Sequence, residues 1–202
     1  MKNINLIKKS VKDSIYTKEL IINDLKFLKA IENFSIKISK SIQKGGKLLI
    51  CGNGGSAADA QHLAAELLIR LRPHINRTSI PALSLATDTS TLTACGNDFS
   101  FDNIYSRTLE SLGSKNDILM CISTSGNSKN IINAIKAANK MKIENLCLTG
   151  GNAGKIKKFC KNLIIVPSNI TARIQESHIM IGHILMELVE DYLIKVRYAK
   201  KI

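Results

Sequence analysis

Ile50-Cys51-Gly52-Asn53-Gly54-Gly55-Ser56-Ala57-Ala58-Asp59-Ala60-Gln61-His62-Leu63-Ala64-Ala65-Glu66 decides how the rest of this 202-residue chain is read. The stretch continues an apolar run, Lys47–Cys51, short enough for a buried strand. A glycine-rich turn follows, then an alanine-rich segment with high helix propensity. Strand, glycine turn and helix in that order aim backbone N–H groups and the positive end of a helix dipole at an anion. Gly52, Gly54 and Gly55 carry no side chain to hold a ligand away from the backbone. Ser56 is read as the N-cap, with a hydroxyl that can also face the ligand.

Further along the same helix, His62 and Glu66 are four residues apart and share a face. With Asp59 and Arg70 they form one polar stripe. One reading is a solvated stripe carrying a Glu66–Arg70 ion pair, of little energetic weight. The other is a His and a Glu held beyond an anion-binding turn for proton transfer or metal binding.

Working outward, four more short apolar runs follow the first: Ala82–Ala86, Asp117–Ser123, Asn145–Thr149 and Leu163–Val166. Helical segments are expected near 56–71, 89–96, 102–112, 128–141 and 152–161, with a long last one from about 171 to 197. Five strands alternating with helices imply a five-stranded parallel sheet covered on both faces, an α/β fold. Ligands of such sheets bind beyond the carboxyl ends of the strands. Polar, glycine-rich sequence collects at those ends: Gly52–Ser56, Thr87–Ser90, Ser123–Ser128 and Thr149–Gly154. Before the first strand, Ile4, Ile7, Val11 and Ile15, then Leu20, Leu25, Leu28, Ile31, Phe34, Ile38 and Ile42, carry helical spacing up to Gly45-Gly46. The chain is expected to be one domain, 1–202, in which helices over 1–45 form an arm packing on the 46–202 core or on another subunit.

Composition narrows the partners. The net charge is +13, but aromatic residues make up only 4% and none interleave with the basic runs as a base-stacking platform. Nucleic acid is therefore not the expected ligand, whereas small anionic substrates also gain from positive potential. No apolar run reaches the ~18 residues that span a bilayer, and no secretion signal is evident. The five cysteines contain no Cys-x-x-Cys, which fits reduced thiols and a cytoplasmic location.

A second loop, Ser123-Thr124-Ser125-Gly126-Asn127-Ser128, leaves a strand and enters a helix with four hydroxyls in six residues, a phosphate cradle. It lacks the Gly-Lys-Ser/Thr of a nucleotide P-loop. Gly52-x-Gly54-x-x-Ala57 loosely fits a dinucleotide fingerprint, but the acidic residue such a site needs is missing at the right spacing; Asp88 comes too late. The last helix carries Gln175 and His183 near one face. If His62 and Glu66 face them, two imidazoles, a carboxylate and an amide converge. Such a set suits a divalent ion with N and O ligands, and equally an acid and a base.

These segments together (Cys51 to Glu66, Gly96-Asn97-Asp98, Ile122 to Ser128, and Arg173-Ile174-Gln175-Glu176 with His183) resemble the bacterial phosphoheptose isomerases, sugar-isomerase (SIS) domain proteins, along nearly the whole chain. The resemblance implies a flavodoxin-like three-layer α/β/α sandwich and a homotetramer with active sites between subunits. It implies that Asn53, Gly54, Gly55, Ser56, Asn97, Asp98, Ser123, Thr124, Ser125 and Ser128, with Glu66 and Gln175, bind a phosphorylated seven-carbon sugar. It implies one Zn²⁺ per subunit on His62, Glu66, Gln175 and His183, with Glu66 and His183 as the proton-transfer pair. The implied reaction converts D-sedoheptulose 7-phosphate to D-glycero-D-manno-heptose 7-phosphate, for nucleotide-activated heptose and surface glycans. A related replication-initiator-associating protein resembles an enzyme without the acid–base pair, so a non-catalytic phosphosugar- or protein-binding module is the alternative; Glu66 and His183 favour the enzyme. Ala172 stands where some isomerases have Asp, so any role of that Asp does not transfer.

Overall fold

Strands Leu48–Gly52 (β1), Ala82–Ser84 (β2), Ile118–Ser123 (β3), Glu144–Gly150 (β4) and Asn162–Val166 (β5) pair in parallel, in the order β2-β1-β3-β4-β5. This computed structural model describes residues 2–200 and 202. Every residue of β1 and β3 is buried, as expected of central strands covered on both faces. From β1 the chain moves outward to β2, then returns to β3 on the other side of β1. That reversal makes the carboxyl end of the β1–β3 pair the switch point where such sheets bind ligands. Gly52 lies in register with Ile122 there, so the glycine turn and the Ser123 loop leave the sheet side by side.

The helices are Lys2–Ile22 (α1), Leu25–Gln43 (α2), Gly55–Leu68 (α3), Thr89–Asp98 (α4), Ile104–Leu112 (α5), Lys129–Met141 (α6) and Thr171–Lys195 (α7). Alternate strand residues feed two cores. Leu48, Ile50, Met120 and Ile122 pack with Ile38, Leu63, Ile181 and Leu185 of α2, α3 and α7. Leu49, Cys51, Leu119 and Cys121 pack with Leu109, Ile131 and Ile135 of α5 and α6. The result is the three-layer sandwich.

Several boundaries differ from the sequence reading, each for a local reason. The arm, expected as one or two helices, is two, because Asp24 caps α2: its Oδ1 accepts from the N–H groups of Lys26 (2.9 Å) and Phe27 (3.2 Å). The helix expected at 152–161 is only a 3₁₀ segment, Gly154–Lys158. Gly151, Ala153 and Gly154 adopt left-handed φ values of 58°, 63° and 51°, which no α-helix admits. The start of the 102–112 segment is likewise a separate 3₁₀ turn, Phe101–Asn103. Ser56 is not the N-cap: α3 begins at Gly55 after Gly54, and Ser56 is buried within the first turn.

α2 packs its apolar face on the core, whereas α1 touches it lightly. Arg173 Nη1 donates to the carbonyl of Ser10 (2.7 Å) and Ser14 Oγ donates to Glu176 Oε2 (2.7 Å), anchoring the arm to the start of α7. Ile4, Ile7, Val11 and Ile15 on α1 stay more than half exposed.

Candidate active site where two helices meet

α3 springs from the glycine turn, and α7 crosses it closely. Gly182 permits that approach: a Cβ there would lie 2.5 Å from Leu63 Cδ1. The neighbouring residues on the two helices are His62 and His183. Their Nε2 atoms are 2.9 Å apart, with the rings edge to face at 87°. Glu66 Oε1 lies 3.1 Å from His62 Nε2, so Glu66 pairs with His62. The Glu66–Arg70 pair of the bland reading does not form, because α3 ends at Leu68. One donor atom from each of His62, Glu66 and His183 falls within 4.8 Å of the others. Glu66 is mostly buried and His62 half-exposed, so the cluster sits at the surface with one side open. A turn earlier, Asp59 has its carboxyl pushed above the usual range by burial, against the opposing pull of His62 and His183.

Gln175 reaches the start of α3: its Nε2 is 3.2 Å from where a Cβ on Gly55 would be. Two imidazole nitrogens and a carboxylate are donor types a divalent ion of zinc character takes; the Gln175 amide lies by the start of α3, about two turns before His62. The imidazoles and the carboxylate can also take and return protons.

The hydroxyl loop stands at the neighbouring strand end. Ser123 Oγ accepts from Gly126 N–H and Ser125 Oγ from Asn127 N–H, each at 3.2 Å. Ser128 precedes α6 without a side-chain capping bond. Gly126, at φ 62°, is required for close packing: a Cβ would lie 2.1 Å from the carbonyl oxygen of Ala153. Thr124 and Ser125 line a cleft of about 230 Å³, whose other wall is Gly151, Asn152, Asn169 and Thr171. Those last residues were not singled out from sequence. The polar strand end Thr149–Gly154 signalled the first two; nothing marked Asn169 and Thr171 except their place just before and at the start of α7.

Asn53 is placed differently from a free ligand group. Its amide is engaged in a reciprocal pair with Asn130, an α6 residue. Tyr105 on α5 donates its hydroxyl to the carbonyl of Gly52, steadying the turn from the other side. Asn97 and Asp98 end α4 and make local contacts, Asn97 Nδ2 donating to Asp98 Oδ1 at 2.8 Å. Asp98 lines a separate cavity of about 480 Å³ beside α5. Among the described residues, no hydrogen bond joins this pair to the His62 cluster.

Fold and site geometry define a sugar-phosphate-handling class, and comparison with known proteins agrees. A family model described as SIS domain matches residues 24–150, more than half of the chain. A phosphoheptose isomerase of Aneurinibacillus thermoaerophilus is 45% identical over 193 residues, covering 96% of each chain. Phosphoheptose isomerase 2 of Campylobacter jejuni is 44% identical, again over 96% of each. The solved structure of a phosphoheptose isomerase from Francisella tularensis superposes with a TM-score of 0.89 at 34% identity, over 95% of this chain and all of that one. The chain belongs to the phosphoheptose isomerase family of SIS-domain proteins.

Proposed function

We propose that the protein interconverts D-sedoheptulose 7-phosphate and D-glycero-D-manno-heptose 7-phosphate by a proton shift between C1 and C2 through an enediol. The observation that carries this reading is the convergence of His62, Glu66 and His183 within 4.8 Å, where α7 crosses α3, the helix that leaves the carboxyl end of β1 at the switch point. Glu66 takes the proton from C1 and returns it to C2. His183 moves the accompanying proton between the two oxygens, and His62 holds the Glu66 carboxylate in place. Thr124, Ser125 and Ser128, with the N-terminus of α6, bind the phosphate and set the distance to the reacting carbons. Gly54 and Gly55 let the sugar approach the backbone, and Gln175 orients its oxygens.

The donor set of His62, Glu66, Gln175 and His183 fits Zn²⁺, one ion per subunit. Bound there, a divalent ion supplies polarisation of the carbonyl and stabilisation of the enediolate charge. The proposal includes a homotetramer with sites between subunits. Supporting this are the exposed Ile4–Ile7–Val11–Ile15 face of α1 and the place of Asp98 in a cavity that none of His62, Glu66 and His183 lines. No helix among the described residues is long and apolar enough to cross a membrane. Five buried free cysteines suit a reducing compartment, which supports a cytoplasmic enzyme.

NMR of the purified protein with sedoheptulose 7-phosphate in D₂O tests the reading, with chelator and with added zinc. Aldose signals with deuterium at C2 are expected, lost on chelation and restored by zinc. A folded, metal-replete protein that converts nothing overturns the enzyme and favours a phosphosugar-binding module.

A further inference from the structure

Asn53 and Asn130 are 77 residues apart in sequence and form a closed ring of two hydrogen bonds. Asn53 Nδ2 donates to Asn130 Oδ1 at 2.9 Å, and Asn130 Nδ2 donates to Asn53 Oδ1 at 2.8 Å. Asn130 is 2% exposed, so its amide has no solvent to fall back on. Its oxygen also accepts from the N–H of Ile131 at 2.9 Å, one of the unpaired donors in the first turn of α6.

Past Gly52 and Ser123 the two strands stop pairing. The Ser123 loop then ties itself to the next loop along the sheet. Gly150 N–H donates to Thr124 O, Ile156 N–H to Gly126 O, and Lys155 N–H to Asn127 Oδ1. Among the described residues, the only hydrogen bonds joining residues 53–55 to residues 123–130 are the two of the amide pair. We propose that Asn130 is a positioning residue that fixes the spacing between the glycine turn and the phosphate loop through Asn53. The inference rests on the assignment of those two loops to the sugar and the phosphate under Proposed function. A substrate anchored by its phosphate presents its carbons to α3 only if the turn is held at the matching distance. An error near 1 Å costs about a hundredfold in rate. Only an amide on each side closes the ring. A carboxylate at either position sets acceptor against acceptor.

The test compares Asn130→Asp, Asn130→Ala, Asn53→Ala and Asn53→Ala/Asn130→Ala in the full-length, metal-replete protein. Readouts are kcat, KM, melting temperature and calorimetric binding of inorganic phosphate, which on this reading needs the Ser123 loop and the start of α6 but not the glycine turn. Asn130→Ala is expected to lower kcat/KM about tenfold or more, chiefly in kcat, with phosphate affinity within about twofold of wild type, whereas Asn130→Asp also places a charge in the first turn of α6 and is expected to weaken phosphate as well. The loss caused by Asn130→Ala is expected to vanish in the Asn53→Ala background, because the effect passes through Asn53. Equal losses in both backgrounds, phosphate affinity falling as far as kcat/KM, or unaltered kinetics overturn the proposal. So does failure of both Asn130 variants to fold, which makes the residue structural only. A wild type without turnover removes the isomerase reading instead. The same cycle, read in sedoheptulose 7-phosphate affinity relative to phosphate, then decides the role of the amide pair.

Discussion

His62 Nε2 lies 2.9 Å from His183 Nε2 and 3.1 Å from Glu66 Oε1, so one imidazole nitrogen of α3 faces both a carboxylate of its own helix and an imidazole of α7. A single proton on that nitrogen can serve only one neighbour at a time. The three groups therefore act as a coupled set. Glu66→Gln and His183→Gln keep a polar side chain of similar reach but remove the group able to exchange a proton. Each is expected to fold normally and to lose about a hundredfold or more in turnover. Circular dichroism checks the fold and a coupled aldose assay checks the rate. Wild-type turnover in either variant excludes that residue from proton transfer.

Ser125 is exposed, and its only hydrogen bond among the described residues is accepted from Asn127 N–H within the loop. Removing the hydroxyl leaves the backbone bonds to the neighbouring loop intact. Ser125→Ala is therefore expected to raise KM about tenfold, the scale of one hydrogen bond to a charged group, with kcat nearly unchanged. An unchanged KM in initial-rate measurements would count against phosphate binding by this residue.

His178 gives a stability prediction with a defined pH window. It is fully buried on α7, neither ring nitrogen has a well-formed hydrogen bond among the described residues, and burial, only weakly opposed by the Thr149 backbone, pushes its pKa from 6.5 down to about 4. Above pH 6.5 the ring is neutral in both folded and unfolded chains. Between pH 6.5 and 4 the unfolded chain takes up a proton that the folded chain refuses, so stability falls as pH falls, by about 3 kcal/mol across the window. The Glu176 carboxyl, held below the usual range by Arg173, loses its contribution only at more acidic pH. Urea midpoints from pH 7 to 4 are expected to flatten in His178→Phe. A slope equal to wild type means the loss arises elsewhere.

The strand, turn and helix around Gly52 were legible in the sequence because a buried parallel strand and an alanine-rich helix leave local, periodic signals. The facing of His62 and Glu66 follows from their spacing of four, and Gln175 with His183 from theirs of eight. That the two helices meet depends on Gly182 against Leu63, a long-range packing fact with no periodicity to betray it. The Asn53–Asn130 and Arg77–Glu190 pairs were invisible for the same reason: their partners lie 77 and 113 residues apart. The false helix at 152–161 is the converse case. Its residue types suit a helix, and the left-handed backbone at 151, 153 and 154, packed closely on the Ser123 loop and on Asn169, prevents one.

Arg77 and Glu190 have fully buried side chains and form an ion pair at 2.7 Å. Arg77 also donates to the carbonyls of Glu66 and Leu67, both at 2.8 Å, at the end of α3. The guanidinium thus ties that helix to α7. Arg77→Met leaves a buried carboxylate with Arg72 as its one remaining partner among the described residues and removes a donor from the Glu66 and Leu67 carbonyls, the latter keeping the N–H of Ile80. A loss of about 3–5 kcal/mol is expected in urea unfolding, partly recovered in Arg77→Met/Glu190→Leu. A loss below about 1 kcal/mol in the single variant contradicts this.

Gly182 tests whether the separation of the two helices governs the site. A methyl group there meets Leu63 Cδ1 at 2.5 Å and Cδ2 at 2.8 Å, and Leu63 is fully buried with little room to turn. Overpacking of this kind costs about 1–3 kcal/mol and is relieved by moving backbone. The backbone that moves carries His62 on one side and His183 on the other. Gly182→Ala is therefore expected to lower both the melting temperature and kcat. Leu63→Ala alone opens a cavity and lowers stability by about 2–5 kcal/mol. Combining the two places a methyl group in that cavity, so the double variant is expected to recover kcat towards wild type even where stability is only partly regained. Recovery of stability without recovery of kcat would separate the packing of α3 on α7 from the approach of the two imidazoles.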